Sequence, residues 1–340
     1  MTARSFEFDS VLDEHDLATV RAALEAHPGY EMIISRQVSA GFGAGFLQRH
    51  DVFRNFLRTG GVSGRSVDLR DISDRTNFFR ATFAYGQRVD VPGVEPYLHS
   101  ERLAQAAADL YDAPVVEPAI VFVNLMLPGQ ELGPHADVPE FRGLSRDDVP
   151  EWLLVVMHHS GLFADERVPI ATAVSWFGHA AGGAFCYWPD GPAGPRRQIA
   201  THDNHAVLLD TDTVFHAVAP ITRRDPSERP LLEIGVRVAW SAEHERWLVT
   251  FQGNELLRLH RDEVRVSLSW KARCFQSEAE RDHVTHAKQR GEGLSLDTVL
   301  SRLRQDLHQR GQLASPDASL DERALIVTLL DTYLNFPPSS

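Results

Sequence analysis

Hydrophobic and polar positions change texture twice along the 340-residue chain. In the first third, helical and strand periods alternate. Leu12, Val20 and Leu24 recur at helical intervals in LDEHDLATVRAALEAH, with Ser10 placed as the cap. The runs YEMIIS and NFFRATFAY predict strands, and SERLAQAAADLYDA predicts a helix over Ser100–Ala113, with Ser100 as N-cap and acids in its first turn. From Pro118 the pattern becomes a succession of short apolar runs: AIVFVNLML, EWLLVVM, IATAVSWF, GAFCYW, HAVLLD, TVFHAV and PLLEIGVRVAW. PG, DG, AG and DP signals separate them, and many short strands at such spacing predict a β-sandwich or barrel. After Trp240 a hairpin is predicted in RWLVTFQGNELLRLHRDEVRVSLSW, then helices over 277–309 and 319–334, with NFPPSS as a frayed tail. The chain therefore reads as an α/β N-terminal extension (1–118), a β core (119–240) and a hairpin plus helical C-terminal region (241–340).

Composition narrows the classes. Apolar residues make up 43% of the chain, enough for a sizeable core. No apolar run approaches the ~20 residues that a membrane-spanning helix needs, so no membrane partner is expected. The opening MTARSFEFDSVLDEHDL has no apolar stretch and carries acids early, unlike a secretory signal. Cys186 and Cys274 lie far apart, forming neither a disulfide framework nor a CxxC site, which fits a reducing cytoplasm. Cys186, flanked by aromatic residues, reads as a small buried hydrophobe. A formal charge of −13 argues against nucleic acid as the main partner, because phosphate-backbone binders present basic surfaces. A small-molecule substrate is expected instead, with the helical C-terminal region as a candidate homodimer surface.

Candidate chemistry begins with histidine. Sixteen histidines and 47 acids in 340 residues give about two His-x-Asp/Glu matches by chance, and three occur. His99/Glu101 precedes a helix, where the acid is a favourable first-turn charge. His260/Asp262 sits in the charged segment RLHRDEVR and reads as a solvated face. His135/Asp137 differs, because it follows an apolar strand and the turn PGQELG, and i and i+2 positions of a strand share a face.

The ordered set HAD (from His135), a Gly182-Gly183 turn into an aromatic strand, LLDTDTVFHAV carrying His216, and a later arginine resembles the iron(II)/2-oxoglutarate-dependent oxygenases, in their prolyl-hydroxylase-like branch. The resemblance spans roughly residues 119–240. It implies a mainly β core with flanking helices, a double-stranded β-helix (jelly-roll/cupin-like barrel). It also implies Fe(II), 2-oxoglutarate as co-substrate and O2, with His135, Asp137 and His216 as metal ligands and catalytic residues. Two imidazoles and a carboxylate on one face of Fe(II) leave three positions open for co-substrate and O2. The cofactors carry the oxidation and the protein positions the reactants. Asp137 is the carboxylate that related halogenases lack, so hydroxylation or desaturation is expected.

The co-substrate's distal carboxylate needs a cation, best an arginine fork. In the family this arginine opens the last core strand, some ten residues after the second histidine. Arg223 and Arg224 come seven and eight residues after His216, Arg229 thirteen and Arg237 twenty-one. Arg229, followed by Pro230 as a strand start, is the expectation. Leu231 stands where the family usually has Ser or Thr. RVSLSW from Arg265 matches that local pattern better but lies 49 residues past His216. Asn124 is placed either as a co-substrate contact or as a core amide, and Arg142 as a substrate contact at the barrel mouth. His158 and His159 are expected to alternate faces of a strand. His202 and His205 are placed at a turn and a strand entry, and Trp188 and Phe215 in the core. Two other functions compete: a cupin-like metal-dependent hydrolase or isomerase without 2-oxoglutarate, since a His/His/acid set also suits zinc, and a non-catalytic barrel-based interaction protein.

Overall fold

A computed structural model describes residues 3–33, 49–64, 75–223, 233–318, 321–334 and 336–337. In the N-terminal part run β1 (Ser5–Phe8), α1 (Glu14–Ala26), β2 (Tyr30–Met32), α2 (His50–Thr59), β3 (Phe79–Tyr85) and β4 (Arg88–Val89), then α3 (Glu95–Leu98) and α4 (Glu101–Tyr111). Next come β5 (Val115–Met126), β6 (Leu132–His135), β7 (Glu140–Phe141), α5 (Glu151–Ser160), β8 (Arg167–Val168) and β9 (Ile170–Phe177). They are followed by β10 (Phe185–Tyr187), β11 (Arg197–Ile199), β12 (Ala206–Leu209) and β13 (His216–Val218). The remainder carries β14 (Arg237–Ser241), β15 (Arg246–Phe251), β16 (Asn254–Leu259), β17 (Arg265–Phe275), α6 (Glu278–Arg290), α7 (Leu296–Gln309) and α8 (Glu322–Tyr333).

Eight of these strands make two antiparallel four-strand arrays, β12-β9-β17-β5 and β11-β10-β13-β6. Successive strands pass between the arrays, β5 to β6, β9 to β10, β11 to β12, β13 to β17. That winding is the double-stranded β-helix expected from the sequence. The first array continues at one edge into β1 and at the other into β3, β2, β14, β15 and β16. The expected boundaries at 118 and 240 fall within this sheet, and β17 lies between β9 and β5.

The two-residue period of a strand decides what each face meets. On β5, Val121, Val123 and Leu125 point outward and pack with Leu268 and Trp270 of β17, and with Val20 and Leu24 of α1 and Leu103 and Ala107 of α4. Phe122, Asn124 and Met126 alternate with them and point to the space between the arrays, as do Arg265, Ser267 and Ser269 of β17. That inner face is closed at one end by Trp176, Phe185, Tyr187, Val207 and Leu209.

Two local expectations are corrected. EWLLVVM is helical, not a strand: Glu151 sits in the first turn of α5 after Pro150, and Gly161 ends it in the left-handed conformation. Every residue from Trp152 to Met157 is buried, so the run shows no periodicity by which helix and strand could be told apart. The cap of α1 is Asp13, which accepts from the Asp16 amide at 2.9 Å, whereas the Ser10 hydroxyl bonds the Leu12 carbonyl. Ser100 caps α4 as expected.

The C-terminal helices build a second core. Val299, Leu303 and Leu307 of α7 and Leu325, Leu329 and Leu330 of α8 pack on α5 and on Ala136, Val138, Phe141 and Leu144. Their apolar faces are thereby used within the chain. Among the described residues no helix is long and apolar enough to cross a membrane.

Candidate active site

His135 closes β6 and His216 opens β13, and the two residues pair directly across the strands. Their ring centroids lie 4.2 Å apart. Asp137 follows just beyond β6, where its amide donates to the Thr211 carbonyl at 2.8 Å. The ligand atoms of the three side chains all lie within 4.8 Å of one another, the one such cluster of His, Cys, Asp or Glu among the described residues.

Backbone carbonyls set the imidazoles. His135 Nδ1 donates to the Gly133 carbonyl at 2.9 Å and His216 Nδ1 to the Val214 carbonyl at 3.0 Å. Each ring is thus protonated at Nδ1, and each Nε2 lone pair is turned toward the centre. His216 Nε2 stands 3.7 Å from Asp137 Oδ1. Burial, reinforced by His216, holds His135 well below its ordinary pKa, and burial also lowers His216 despite Asp137. Burial alone would raise Asp137, but the Lys271 ammonium and the two imidazoles outweigh it and hold the carboxyl well below its ordinary range. Neutral imidazoles and an ionised carboxylate are the forms a divalent cation requires.

Three further side chains hold the turn that carries Asp137. Arg49, at the start of α2, forks onto Asp51 at 3.0 and 2.8 Å and donates to the Ala136 carbonyl at 2.7 Å. Lys271, on the inner face of β17, donates to Asp137 Oδ2 at 2.9 Å, and the Thr211 hydroxyl reaches the same oxygen at 2.6 Å.

The same cavity contains Arg265, which opens β17. Its Nε donates to the Gly183 carbonyl at 2.8 Å and one terminal nitrogen to the Ser267 hydroxyl at 3.0 Å. The other terminal nitrogen, Nη2, has no partner among the described residues although it is fully buried. Among the described residues no carboxylate pairs with this guanidinium, and burial lowers it to about 9. The Gly182-Gly183 turn makes room for it. A Cβ on Gly183 would stand 2.7 Å from Arg265 Cδ and 2.4 Å from Ile221 Cδ1, and the residue lies at φ +65°. Val174, Phe185, Val218 and Met126 supply the apolar wall.

The structure therefore brings together His135, Asp137, His216 and Asn124, whose side chain lines the cavity and accepts from Arg80 Nε at 2.8 Å. Arg229 and Arg224 lie outside the described residues. Arg223 Nε donates to the Pro128 carbonyl, and Arg237 pairs with Glu31 at the surface. Among the described residues, Arg265 is the arginine of the four-strand arrays that lines this cavity, at a distance from His216 that counting set aside. The 49-residue gap is filled by β14, β15 and β16, which leave the β-helix to extend the sheet beyond β2 before the chain returns as β17. Arg142 is not in the cavity wall: its backbone bridges Glu166 and Leu294. His158 bonds the Thr213 hydroxyl, and His159 packs on Phe215, both outside the cavity. His205 packs on Trp176, while Trp188 and Phe215 pack on Phe336. Lys271, Thr211 and Arg49 escaped the sequence reading. For Lys271 a signal existed: a lysine in the middle of the strand-like run SLSWKARCF, in a chain with only one other.

No protein-family model and no curated protein matches the chain. Solved structures do. A 2OG-Fe(II) oxygenase family oxidoreductase from Burkholderia pseudomallei is 13% identical over 79% of this chain and 85% of its own, with a TM-score of 0.40. A Pseudomonas putida prolyl-4-hydroxylase is 13% identical over 80% of this chain and 94% of its own, with a TM-score of 0.37. A non-heme alpha ketoglutarate dependent carbocyclase from nogalamycin biosynthesis is 12% identical over 84% of this chain and 87% of its own, with a TM-score of 0.40.

Proposed function

We propose that the protein is an iron(II)- and 2-oxoglutarate-dependent dioxygenase that hydroxylates an unactivated C–H bond of a small-molecule or amino-acid-type substrate. The observation that carries this reading is the buried Arg265, a cation with an unpartnered N–H in the cavity that also holds His135, Asp137 and His216. An orphaned buried donor costs ~1–3 kcal/mol, more when charged, and an anionic carboxylate would satisfy it. A metal site for redox-neutral hydrolysis has no need of that second, anion-seeking group.

The donor set suits the metal. Two imidazole nitrogens and one carboxylate oxygen, with open positions opposite, are an arrangement that suits Fe(II) for oxygen chemistry. When bound, iron would activate O2, the oxidant, with 2-oxoglutarate giving up two of the four electrons, so that one oxygen atom would enter the substrate and the other succinate as CO2 leaves. The chain's own residues do the rest. Gly133 and Val214 carbonyls keep the imidazoles aimed. Arg265 takes the distal carboxylate, and Ser267, 3.0 Å from its guanidinium, orients the fork. The apolar wall excludes water, so that the charges inside act at low dielectric. Asp137 fills the position that a halide would otherwise need, which favours hydroxylation.

Anaerobic addition of Fe(II) and then 2-oxoglutarate to the metal-free protein tests this. A weak visible charge-transfer band is expected, absent in His216→Ala. Iron binding without any band would remove the oxygenase reading and favour a redox-neutral metal enzyme.

A further inference from the structure

Lys271 is a buried charged group beside the site that the reaction outlined above does not use. It is one of two lysines in the chain. It sits on the same inner face of β17 as Arg265, Ser267 and Ser269, and its side chain is 5% exposed. Its ammonium reaches Asp137 Oδ2 at 2.9 Å and the Thr172 hydroxyl at 3.1 Å, with Asp212 Oδ1 at 3.7 Å on a third side. Asp212 is fully buried, and its carboxylate accepts no hydrogen bond among the described residues.

A carboxylate oxygen has two lone pairs. Those of Asp137 Oδ2 are engaged by the two donors, Lys271 at 2.9 Å and the Thr211 hydroxyl at 2.6 Å. Oδ1 is left, on the side of His216 Nε2. A free carboxylate beside a divalent cation can swing to bind through both oxygens, which would consume one of three positions that a two-point anionic chelate and a third ligand require.

We infer that Lys271 is a positioning residue that commits Asp137 to coordination through Oδ1 alone and offsets its charge, so that the metal keeps room and appetite for an anionic chelate. This rests on the metal-centre reading above. The consequence is a split of opposite signs. An ammonium beside the ligand repels the dication, so Lys271 weakens metal binding while strengthening that of a 2-oxo acid.

Three proteins test it at pH 8: wild type, Lys271→Met combined with Asp212→Asn, and Thr211→Val. The double variant removes both buried charges together, so that Asp212 is not left as a carboxylate without its cation. Thr211→Val removes one of the two donors while keeping the side-chain shape. Mn(II) affinity is measured by calorimetry, 2-oxoglutarate affinity on the metal-loaded protein without oxygen, and coordination number from the visible spectrum of the Co(II) form. The expected result in the double variant is Mn(II) binding at least fivefold tighter, 2-oxoglutarate binding at least tenfold weaker, and a changed Co(II) spectrum. Thr211→Val should shift in the same directions by less. If both affinities fall together, or neither moves, Lys271 is only structural and the inference is overturned. Should the double variant fail to fold, the sign of the Thr211→Val shifts decides alone. A wild-type protein that binds no Mn(II), or Mn(II) but no 2-oxoglutarate, overturns the metal-centre reading itself, and this inference with it.

Discussion

Arg265→Met is the substitution on which the proposed chemistry depends most directly. Methionine keeps an unbranched stem of similar bulk and removes the fork. The lost interactions with the co-substrate carboxylate are charge-assisted hydrogen bonds, worth ~1.5–3 kcal/mol each. Breaking a buried ion pair from one side costs ~3–5 kcal/mol. At about 1.4 kcal/mol per factor of ten, 2-oxoglutarate should bind two to three and a half orders of magnitude more weakly. Metal binding should be unchanged, because Arg265 touches Gly183 and Ser267 and none of the three ligands. The assay is anaerobic titration of the Fe(II)-loaded protein with 2-oxoglutarate, followed in the visible band and independently as a thermal shift. At a hundredfold excess over Kd the co-substrate stabilises the wild type by about 2.7 kcal/mol. The variant should show no such gain at that concentration. An Arg265→Met protein that binds 2-oxoglutarate within tenfold of wild type, with full metal content, would refute the assignment. Loss of binding in Arg229→Ala instead would return the role to the residue favoured by counting from His216.

Ala in place of His135, Asp137 or His216 should each weaken Mn(II) binding by more than ~100-fold, read by calorimetry, since even outer partners of metal ligands are worth 10–100-fold. Gly183→Ala should destabilise the fold by ~1–3 kcal/mol and weaken 2-oxoglutarate binding, because the new methyl meets Arg265 and Ile221 at a positive φ; unchanged thermal midpoint and Kd would count against the cradle. Stability should fall with acid through His158 and His159. Burial lowers His158 to about 3, helped by Arg167, and His159 to about 4. The unfolded chain takes up these two protons from about pH 6.5 downward while the native state refuses them, so stability is lost as pH falls, by at most ~2.7 kcal/mol per pH unit. Denaturant midpoints at pH 7 and 5 should therefore differ less in a His158→Gln/His159→Gln protein; an equal difference would show that other groups govern the acid limb. Leu303→Ala, in the second core, should cost ~2–5 kcal/mol, measured by the same denaturation.

Much of the fold was legible because its strands are short, apolar and separated by turn residues, and because α4 carries its own cap. The clustering of His135, Asp137 and His216 was legible for a different reason: they stand beside strand ends in the order along the chain that the resemblance implies. Three things were not. The run at 152–157 is apolar throughout, so α5 left no period to read. The position of Arg265 depends on where β14–β16 go, and strand pairing over such distances is a property of the tertiary fold, not of local pattern. Lys271 and Asp212 meet only because β17 and the turn before His216 approach in space; nothing in their spacing announces it.

The late arrival of β17 also sets an order of events during synthesis. Its partners on both sides, β5 and β9, are complete by residue 177, yet neither can close its inner edge until residues 265–275 exist. Through that interval two apolar strands carry open hydrogen-bonding edges, the condition under which a growing chain pairs with its neighbours. His216 is made 49 residues before Arg265. At ~5–20 residues per second His135, Asp137 and His216 therefore exist for a few seconds before Arg265. The triad of His135, Asp137 and His216 is therefore made before the guanidinium that shares its cavity, and the cavity wall is complete only when the last strand is in place.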